Sequence, residues 1–291
     1  MKDGIMTAIV TPFKNGNIDW DALEQHIARQ IDAGISALIV SGTTGESPTL
    51  SKDEKKQLFR FAVEQADGRI AIIAGTGSNN TAASIATSEM AVAQNVDGLL
   101  IVVPYYNKPT QEGLYQHFAS IADAVSPIPI FLYNVPGRTV ADLLPETIAR
   151  LAEKKNVTHV KEATGKMERI TEILKLAPRL TVLSGDDKTF FNGLSYGMKG
   201  IISVASNIFP EPMVALYNSF INGDVEKATS INELLTPFYD VIFCETNPTP
   251  VKSAAAYLGW MEDEMRLPLL PISAKNKPRL IEVLEDIRAK L

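Results

Sequence analysis

The stretch GLLIVVPYYN, residues 98–107, decides the fold class. Its first half is a continuous apolar run in which polar residues do not alternate with apolar ones. A short run of this kind is typical of a parallel β-strand that is covered on both faces. Polar and aromatic residues follow at once, from Pro104 to Asn107. We therefore expect a buried parallel strand whose carboxyl end opens into a loop.

Seven further runs rich in Val, Ile and Leu share this pattern, at residues 5–10, 37–41, 70–74, 129–133, 157–161, 180–184 and 200–204. Segments with helical periodicity lie between the runs, and Asp19, Ser51 and Thr110 mark helix starts. Ser51, followed by Glu54, is the clearest capping box. The eight units of strand and helix predict an α/β fold, a closed (β/α)8 TIM barrel, rather than the competing open doubly wound sheet.

The strand pattern ends near residue 220. The rest of the chain has helical segments that are broken by NPTP (247–250) and LPLLP (267–271). No linker or low-complexity segment separates the two parts. We expect a barrel catalytic domain over residues 1–222 and a C-terminal helical extension over residues 223–291 that packs on the barrel.

The composition argues against several classes of protein. Hydrophobic residues make up 45% of the 291 residues and charged residues 21%, as in ordinary globular domains, and the net charge of -6 comes with no basic run that would attract nucleic acid. The apolar run at residues 5–10 stops at Pro12 and is too short for a signal peptide or a membrane span. The single cysteine, Cys244, permits no intrachain disulfide. We expect a cytoplasmic protein that binds neither nucleic acid nor membranes.

Lys161 lies inside a predicted buried strand, where an unpaired ammonium group is costly. Side chains alternate along a strand, so Glu162 points to the opposite face and is poorly placed to pair with this lysine. Burial disfavours the charged form of an amine, and a neutral amine can attack a carbonyl carbon and form an imine. Position alone leaves two interpretations open: a catalytic amine or a lysine in a buried ion pair.

Polar residues at the ends of other strands favour the catalytic interpretation. Tyr133 ends the preceding strand and is placed to transfer the protons that imine formation requires. Arg138 lies in the loop that follows and can bind a substrate carboxylate with its guanidinium group, while Thr43 and Thr44 can hold a second one. Each residue alone has a structural explanation. Together, at the mouth of one barrel, these residues indicate a catalytic site.

The remaining polar motifs fit no metal or nucleotide site. His26, His117 and His159 lack the spacing and the carboxylate neighbours of a metal site. His159 shares a strand face with Lys161, and we expect it to be a structural residue deeper in the barrel. The motif GTGSNN, residues 75–80, begins like a dinucleotide fingerprint but lacks the third glycine. The residues thus favour neither a metal site nor a dinucleotide site.

Ten motifs resemble those of the dihydrodipicolinate synthase family, within the pyruvate-dependent class I aldolase superfamily. They are AIVTPF, GTTGES, IAGTG, PYYNKP, QEGLYQHF, LYNVPGRT, VKEATG, LSGDD, GIISV and NPTPVK, and they span essentially the whole chain. The resemblance implies a lyase that condenses pyruvate with L-aspartate 4-semialdehyde in lysine and diaminopimelate biosynthesis. It also implies a homotetramer built as a dimer of tight dimers.

The resemblance assigns the catalytic residues by position. Lys161 would form the imine with pyruvate and would itself serve as the electron sink, so the resemblance implies no metal and no organic cofactor. Thr43, Tyr133 and Tyr106 would form a proton relay. In this relay Tyr106 would reach into the active site of a neighbouring subunit, so that the complete site would need two copies of the chain.

The resemblance also assigns residues to the two substrates. Thr44 matches the residue that binds the pyruvate carboxylate, and Gly185 and Ile202 would line the same pocket through their backbones. Arg138 matches the residue that receives the carboxylate of the semialdehyde. Sialic-acid lyases usually have Ser-Thr at the positions of Thr43 and Thr44 and lack this arginine. Keto-deoxy sugar acid aldolases remain the alternative, and a silent relative that only binds keto acids is disfavoured by the intact set.

One departure from the family pattern bears on regulation. Relatives that are inhibited by lysine usually carry histidine and glutamate at three positions where this chain has Lys52, Lys55 and Ala83. Three other positions of that effector pocket match: Ser47, Asn79 and Tyr105. Two added positive charges and a missing carboxylate weaken the binding of a cationic amino acid. We therefore expect weak or absent inhibition by lysine.

Overall fold

A computed structural model describes residues 2–291. The strands in chain order are β1 (Gly4–Ala8), β2 (Phe13–Lys14), β3 (Asn17–Ile18), β4 (Ala37–Val40), β5 (Ala71–Gly75), β6 (Gly98–Val102), β7 (Ile130–Asn134), β8 (Val157–Glu162), β9 (Thr181–Ser184) and β10 (Gly200–Ser203). All except β2 and β3 pair in parallel as one closed barrel in the order β1-β10-β9-β8-β7-β6-β5-β4. The predicted (β/α)8 barrel is confirmed, and each predicted run overlaps one strand to within one or two residues at either end.

Helices connect the strands and complete the chain. They are α1 (Trp20–Asp32), α2 (Lys52–Ala66), α3 (Thr81–Val92), α4 (Gln111–Ala124), α5 (Pro136–Thr139), α6 (Pro145–Ala152), α7 (Met167–Leu176), α8 (Asp187–Ser195), α9 (Pro210–Ile221), α10 (Val225–Val241), α11 (Thr249–Tyr257) and α12 (Lys277–Arg288). Short 3-10 turns lie at Ser47–Thr49 and Ala205–Asn207.

The barrel strands are apolar on both faces because each face meets a separate core. In β4, Leu38 and Val40 pack into the large core between the strands and the helices. Ile39, between them, belongs to a smaller cluster inside the barrel that also contains Phe131 and Leu183. This double burial accounts for the continuous apolar runs in the sequence. Since the inner cluster fills the barrel, any binding site must lie at its mouth.

The three predicted helix starts form as expected. Asp19 accepts a hydrogen bond from the backbone of Ala22 at 3.1 Å. At Ser51 both bonds of the capping box are present, since its side chain accepts from the backbone of Glu54 at 3.2 Å and its backbone donates to the carboxylate of Glu54 at 2.8 Å. Thr110 caps α4 through the backbone of Gly113, at 3.2 Å. Each cap satisfies a backbone donor that the first turn leaves free.

The C-terminal helices contact the helices that surround the barrel strands. Helix α10 lies against α9 and α12, and α11 lies against α12. The motif NPTP separates α10 from α11, and LPLLP lies in the loop before α12. Within residues 2–291, no helix is both long and apolar enough to cross a membrane.

The hairpin of β2 and β3 was not predicted. Its signal is the pair Asn15-Gly16 between two short strands, with φ values of 53° and 78°. Asn-Gly favours this left-handed turn because glycine and asparagine tolerate positive φ. The flanking strands have only two residues each, which is too short for an alternation of apolar and polar residues to be recognised in the sequence.

Candidate active site

Lys161 lies on β8 directly beside Tyr133 of β7, with which it is in register. The lysine side chain is buried, with 6% of the residue exposed, and its Nζ lies 4.2 Å from the centre of the Tyr133 ring. None of the ion pairs formed within residues 2–291 includes Lys161. The amine is therefore held against an aromatic ring rather than against a carboxylate.

Glu162 points away from Lys161, as strand alternation predicted. Its Oε2 accepts a hydrogen bond from Nδ2 of Asn134 at 3.1 Å, and its Oε1 accepts one from the backbone of Thr164 at 2.7 Å. This carboxylate is fully engaged on the outer face of the strand. The structure therefore contains no Lys161–Glu162 ion pair, which was the structural interpretation of this lysine.

Lys161 opens into a cavity of about 220 Å³ at the carboxyl ends of the strands, which we term the Lys161 cavity. The residues that line it are Ala8, Ile39, Gly42, Thr43, Thr44, Leu100, Tyr133, Val135, Arg138, Lys161, Ala163, Gly185, Asp186, Val204, Phe243 and Asn247. Five predicted site residues other than the lysine itself are among them: Thr43, Thr44, Tyr133, Arg138 and Gly185. The barrel therefore brings most of the predicted site together around the amine.

A second cavity, of about 270 Å³, adjoins the first and contains Lys55, so we term it the Lys55 cavity. Its wall is shared with the Lys161 cavity at six residues: Gly42, Thr43, Leu100, Tyr133, Val135 and Arg138. Of the predicted effector residues, Ser47, Lys55 and Tyr105 line it, and burial lowers the pKa of Lys55. A charge in the Lys55 cavity therefore lies across a shared wall from the amine.

The loop after β4, residues 42–46, presents two threonines to the Lys161 cavity, and we term it the threonine loop. Thr44 is buried, and its Oγ1 accepts a hydrogen bond from Nδ2 of Asn247 at 2.9 Å. The backbone of Glu46 donates to the carbonyl of Thr43 at 3.1 Å. Thr11 donates to the carbonyl of Gly45 at 2.8 Å. These bonds hold the loop in one conformation over the cavity.

Arg138 lies on the short helix α5, at the rim shared by both cavities. Its side chain is exposed, and Nη2 lies 3.5 Å from the backbone carbonyl of Asn247, at the outer limit of a hydrogen bond. No carboxylate of residues 2–291 pairs with it. A guanidinium group in this position remains available to bind a carboxylate from solution.

Gly185 and Ile202 differ in their relation to the cavity. Gly185 lines it, and a Cβ atom there would lie 2.6 Å from the Cβ of Ala163 and 3.1 Å from the Cε of Lys161. Ile202 is buried in the inner barrel cluster. Val204, two residues further along and just after the end of β10, lines the cavity. The glycine thus leaves room for the lysine side chain.

Tyr106 lies outside both cavities, in the loop after β6. Its side chain is 86% exposed, and its backbone has the unusual φ of 74°. The backbone of Asn107 donates to the carbonyl of Tyr105 at 2.9 Å, which closes a tight turn around Tyr106. Such turns are strained for residues with a side chain, so an aromatic residue is held pointing outward at some cost.

His159 lies deeper in the barrel, as predicted, and does not line the Lys161 cavity. Its ring stacks on Phe131 with centroids 3.9 Å apart, and its Nδ1 lies 2.7 Å from Oγ1 of Thr158. Burial lowers its pKa from 6.5 to about 4. A neutral, stacked imidazole of this kind is a structural element of the interior.

Asp187, behind the cavity wall, is fully buried at the start of α8. It accepts hydrogen bonds from Oγ of Ser203 at 2.5 Å and from the backbone of Val204 at 3.0 Å. Burial raises its pKa to about 6. Since Val204 lines the Lys161 cavity, this carboxyl group fixes the loop that closes one side of the cavity.

Asn247 is the cavity residue that the sequence did not reveal. It precedes Pro248 in a stretch that we interpreted as a break between helices and as part of the family motif NPTPVK, without assigning Asn247 a role. In the structure it contacts both Thr44 and Arg138. A polar residue before proline in an otherwise helical region was the available signal. The sequence alone does not show that Asn247 lies close to Thr44, 203 positions away, and to Arg138, 109 positions away.

Comparison with known proteins identifies the family. A family model described as the dihydrodipicolinate synthetase family matches residues 1–287. The chain belongs to this family. The 4-hydroxy-tetrahydrodipicolinate synthase of Geobacter metallireducens is 46% identical over 287 residues, which cover 98% of this chain and 99% of the relative. The resemblance inferred from the motifs is thereby confirmed, as is the expectation of an enzyme of the class I aldolase type.

Solved structures of the dihydrodipicolinate synthetase family agree with this assignment. The 4-hydroxy-tetrahydrodipicolinate synthase of Methylacidiphilum fumariolicum SolV superposes with a TM-score of 0.98 at 43% identity, covering 100% of this chain and 97% of that one. A structure described as a monomeric dihydrodipicolinate synthase variant superposes with a TM-score of 0.96 at 42% identity, covering 99% of this chain and 97% of that one. The fold is therefore shared along the whole chain.

Proposed function

We propose that this protein is a 4-hydroxy-tetrahydrodipicolinate synthase, which condenses pyruvate with L-aspartate 4-semialdehyde in lysine and diaminopimelate biosynthesis. The observation that carries the proposal is the Lys161 amine, buried without a carboxylate partner at the base of a cavity that Arg138 borders. The names of the relatives support the same activity. The fold alone does not identify the activity, because the (β/α)8 barrel supports many different reactions.

The chemistry begins with attack of Nζ of Lys161 on the keto carbon of pyruvate. Two proton transfers and loss of the carbonyl oxygen as water give an imine. Loss of a methyl proton then gives an enamine, because the imine nitrogen accepts the electron pair. The enamine carbon bonds to the aldehyde carbon of the semialdehyde, and the aldehyde oxygen takes up a proton. Transfer of the former keto carbon to the amino group of the semialdehyde releases Lys161 unchanged.

The proton transfers need hydroxyl groups near the amine, and Tyr133 and Thr43 line the same cavity. Tyr106 is the third member of the proposed relay. Because its side chain does not line its own cavity and is largely exposed, we assign it to the site of a second copy. This assignment requires a dimer at least, and we propose a homotetramer built as a dimer of dimers. One solved relative is described as a monomeric variant, so the oligomeric state of this protein is tested apart from its activity.

The carboxylates of the two substrates need separate binding groups. Thr44, Gly185 and the backbone near Ile202 are proposed to hold the pyruvate carboxylate beside Lys161. Arg138, at the shared rim, is proposed to bind the carboxylate of the semialdehyde. The two carboxylates would then lie on opposite sides of the new carbon-carbon bond, which orients the enamine toward the aldehyde.

We also propose a domain organisation and a cellular location for the protein. Residues 1–222 form the barrel catalytic domain and residues 223–291 the helical region that packs on it, supported by the contacts of α10 with α9. We place the protein in the cytoplasm, where a free and exposed thiol such as that of Cys244 is kept reduced. Cell fractionation tests the location, and sedimentation at several concentrations tests the assembly.

The activity is tested by assaying the purified protein with two substrate systems. Condensation of pyruvate with L-aspartate 4-semialdehyde is followed in one, and cleavage of keto-deoxy sugar acids to pyruvate in the other. We expect kcat/KM to be far higher for condensation. Faster cleavage of the sugar acids would instead support the aldolase alternative. Lys161→Met, which keeps the length and the apolar part of the side chain, serves as the inactive control.

A further inference from the structure

The C-terminal helical region binds the threonine loop at two of its residues, Thr44 and Glu46. Nδ2 of Asn247 donates to Oγ1 of Thr44, at 2.9 Å. Nζ of Lys252, on α11, lies 2.5 Å from Oε1 of Glu46 at the end of the loop. Both contacts join residues about two hundred positions apart in the chain. The loop that carries the two threonines is thus attached to a segment outside the barrel.

The contact between Lys252 and Glu46 is completely buried, with both side chains 0% exposed. Nζ of Lys252 also lies 4.3 Å from the centre of the Phe13 ring. Burying two charges carries a desolvation cost that their attraction often fails to recover, so such a pair is weak support for stability as its purpose. A buried pair does, however, fix geometry, because either charge alone in this place would be strongly unfavourable.

Glu46 links the buried ion pair to the threonine loop. Its backbone has a left-handed φ of 53°, and its N–H donates to the carbonyl of Thr43 at 3.1 Å. Its other carboxylate oxygen, Oε2, accepts from the backbone of Arg266 at 3.0 Å. Both oxygens are therefore held by the C-terminal region, while the backbone of the same residue is bonded to Thr43.

We propose that Lys252 is a positioning residue, which acts through Glu46 to hold Thr43 and Thr44 over the Lys161 cavity. Lys252 itself does not line either cavity, so it acts without touching substrate. The inference rests on the proposed function, since the threonines matter as groups that bind pyruvate and transfer protons. It gives the C-terminal region a part in the reaction besides packing.

The test compares Lys252→Met with the double variant Glu46→Gln/Lys252→Met. The single variant leaves a buried carboxylate without its partner and is expected to be much less stable, whereas the double variant removes both charges and is expected to fold. Lys277→Met is the matched control, because it breaks a half-exposed ion pair with Asp263 in the same C-terminal region, away from the threonine loop. Circular dichroism and thermal melting establish the folded fraction of each.

Imine formation is then measured on folded protein by borohydride trapping with pyruvate, together with kcat and KM for condensation. We expect the double variant to trap pyruvate about tenfold or more slowly and to have a raised KM for pyruvate, since small displacements of orienting groups have effects of this size. The control is expected to match the wild type. Wild-type rates in a stably folded double variant would overturn the positioning role. If the single variant Lys252→Met folds, the same rates are measured on it, and wild-type rates would again overturn the positioning role.

A rescue experiment separates positioning from general damage. In a Cys244→Ser background, Lys252→Cys is alkylated with 2-bromoethylamine while unfolded and then refolded, which restores an ammonium group of similar reach. Recovery of the trapping rate is expected, and a refolded protein that stays slow would contradict the proposal. If wild-type protein itself traps no pyruvate at Lys161, the proposed function fails. If wild type and variants trap equally, only the role of Lys252 fails.

Discussion

Gly185 leaves the space that the side chain of Lys161 occupies. A Cβ atom at this glycine would lie 3.1 Å from Cε of the lysine and 2.6 Å from the Cβ of Ala163. Carbon atoms do not approach so closely without displacement of one of them. The Cβ of Ala163 is fixed to its backbone, so relief of that contact needs a backbone shift, whereas Cε of Lys161 lies on a flexible side chain that can move aside.

Gly185→Ala is therefore expected to slow imine formation with pyruvate by about tenfold or more, by moving the amine. The free energy of unfolding is expected to fall by about 1–3 kcal/mol, as in other overpacked sites. Rates of borohydride trapping and urea unfolding measure the two effects. Gly137→Ala is the control, because a Cβ there would meet nothing within 4 Å. A Gly185→Ala variant that traps pyruvate at the wild-type rate would show that the space is not needed.

Arg138→Ala is expected to separate the two substrates. Loss of a charged hydrogen-bond donor to a carboxylate costs about 1.5–3 kcal/mol, so kcat/KM for the semialdehyde should fall by about tenfold to about a hundredfold. Trapping of pyruvate at Lys161 should persist. Arg150→Ala, which removes an exposed ion pair with Glu112, should change neither. Failure of the trapping reaction in Arg138→Ala would mean that the arginine serves pyruvate instead.

Inhibition by lysine is expected to be weak or absent. Lys55 places a cationic side chain in the cavity that Ser47 and Tyr105 also line. A second ammonium group entering there would be repelled, and Ala83 supplies no carboxylate to offset that repulsion. Condensation rates with increasing free lysine measure this directly. Strong inhibition at submillimolar lysine would contradict the prediction, and Lys55→His should increase sensitivity if the charge is the cause.

The pH dependence of stability should include a contribution from His159. Burial lowers its pKa in the folded state to about 4 from 6.5. Because the unfolded chain binds the proton at higher pH, the contribution is fully present above pH 6.5 and is lost as pH falls toward 4. The slope is at most about 1.4 kcal/mol per pH unit for one proton.

His159→Gln removes the titratable imidazole while keeping a polar side chain beside Thr158. Urea unfolding at about pH 7 and about pH 5 should show a smaller loss of stability in the variant than in the wild type. The pKa values of His26 and His117 are also lowered by burial, and both residues remain in the variant, so the difference reports on His159 alone. Equal losses in the two proteins would mean that His159 binds no additional proton on unfolding.

The sequence predicted the barrel because double burial leaves a readable pattern, eight apolar runs such as that of β6, Gly98–Val102. It also predicted that Lys161 and Tyr133 meet, since both end neighbouring strands. It did not predict the contact of Lys252 with Glu46. A buried ion pair between distant segments depends on how the C-terminal helices pack against the barrel. No local sequence pattern indicates such a contact.

The position of Ile202 illustrates a finer limit. Periodicity placed it on the correct strand, but whether a residue touches the cavity or the layer beneath depends on where the inner cluster ends. In this barrel that boundary falls between Ile202 and Val204. Such a boundary is set by the side chains of all eight strands together.

The central claim is that Lys161 forms an imine with pyruvate. Borohydride reduction of the wild-type protein in the presence of pyruvate, followed by mass analysis of its peptides, tests it most directly. The account predicts a reduced pyruvate adduct on the peptide that contains Lys161, and none in Lys161→Met. A wild-type protein that catalyses condensation but carries no adduct at Lys161 would contradict the account.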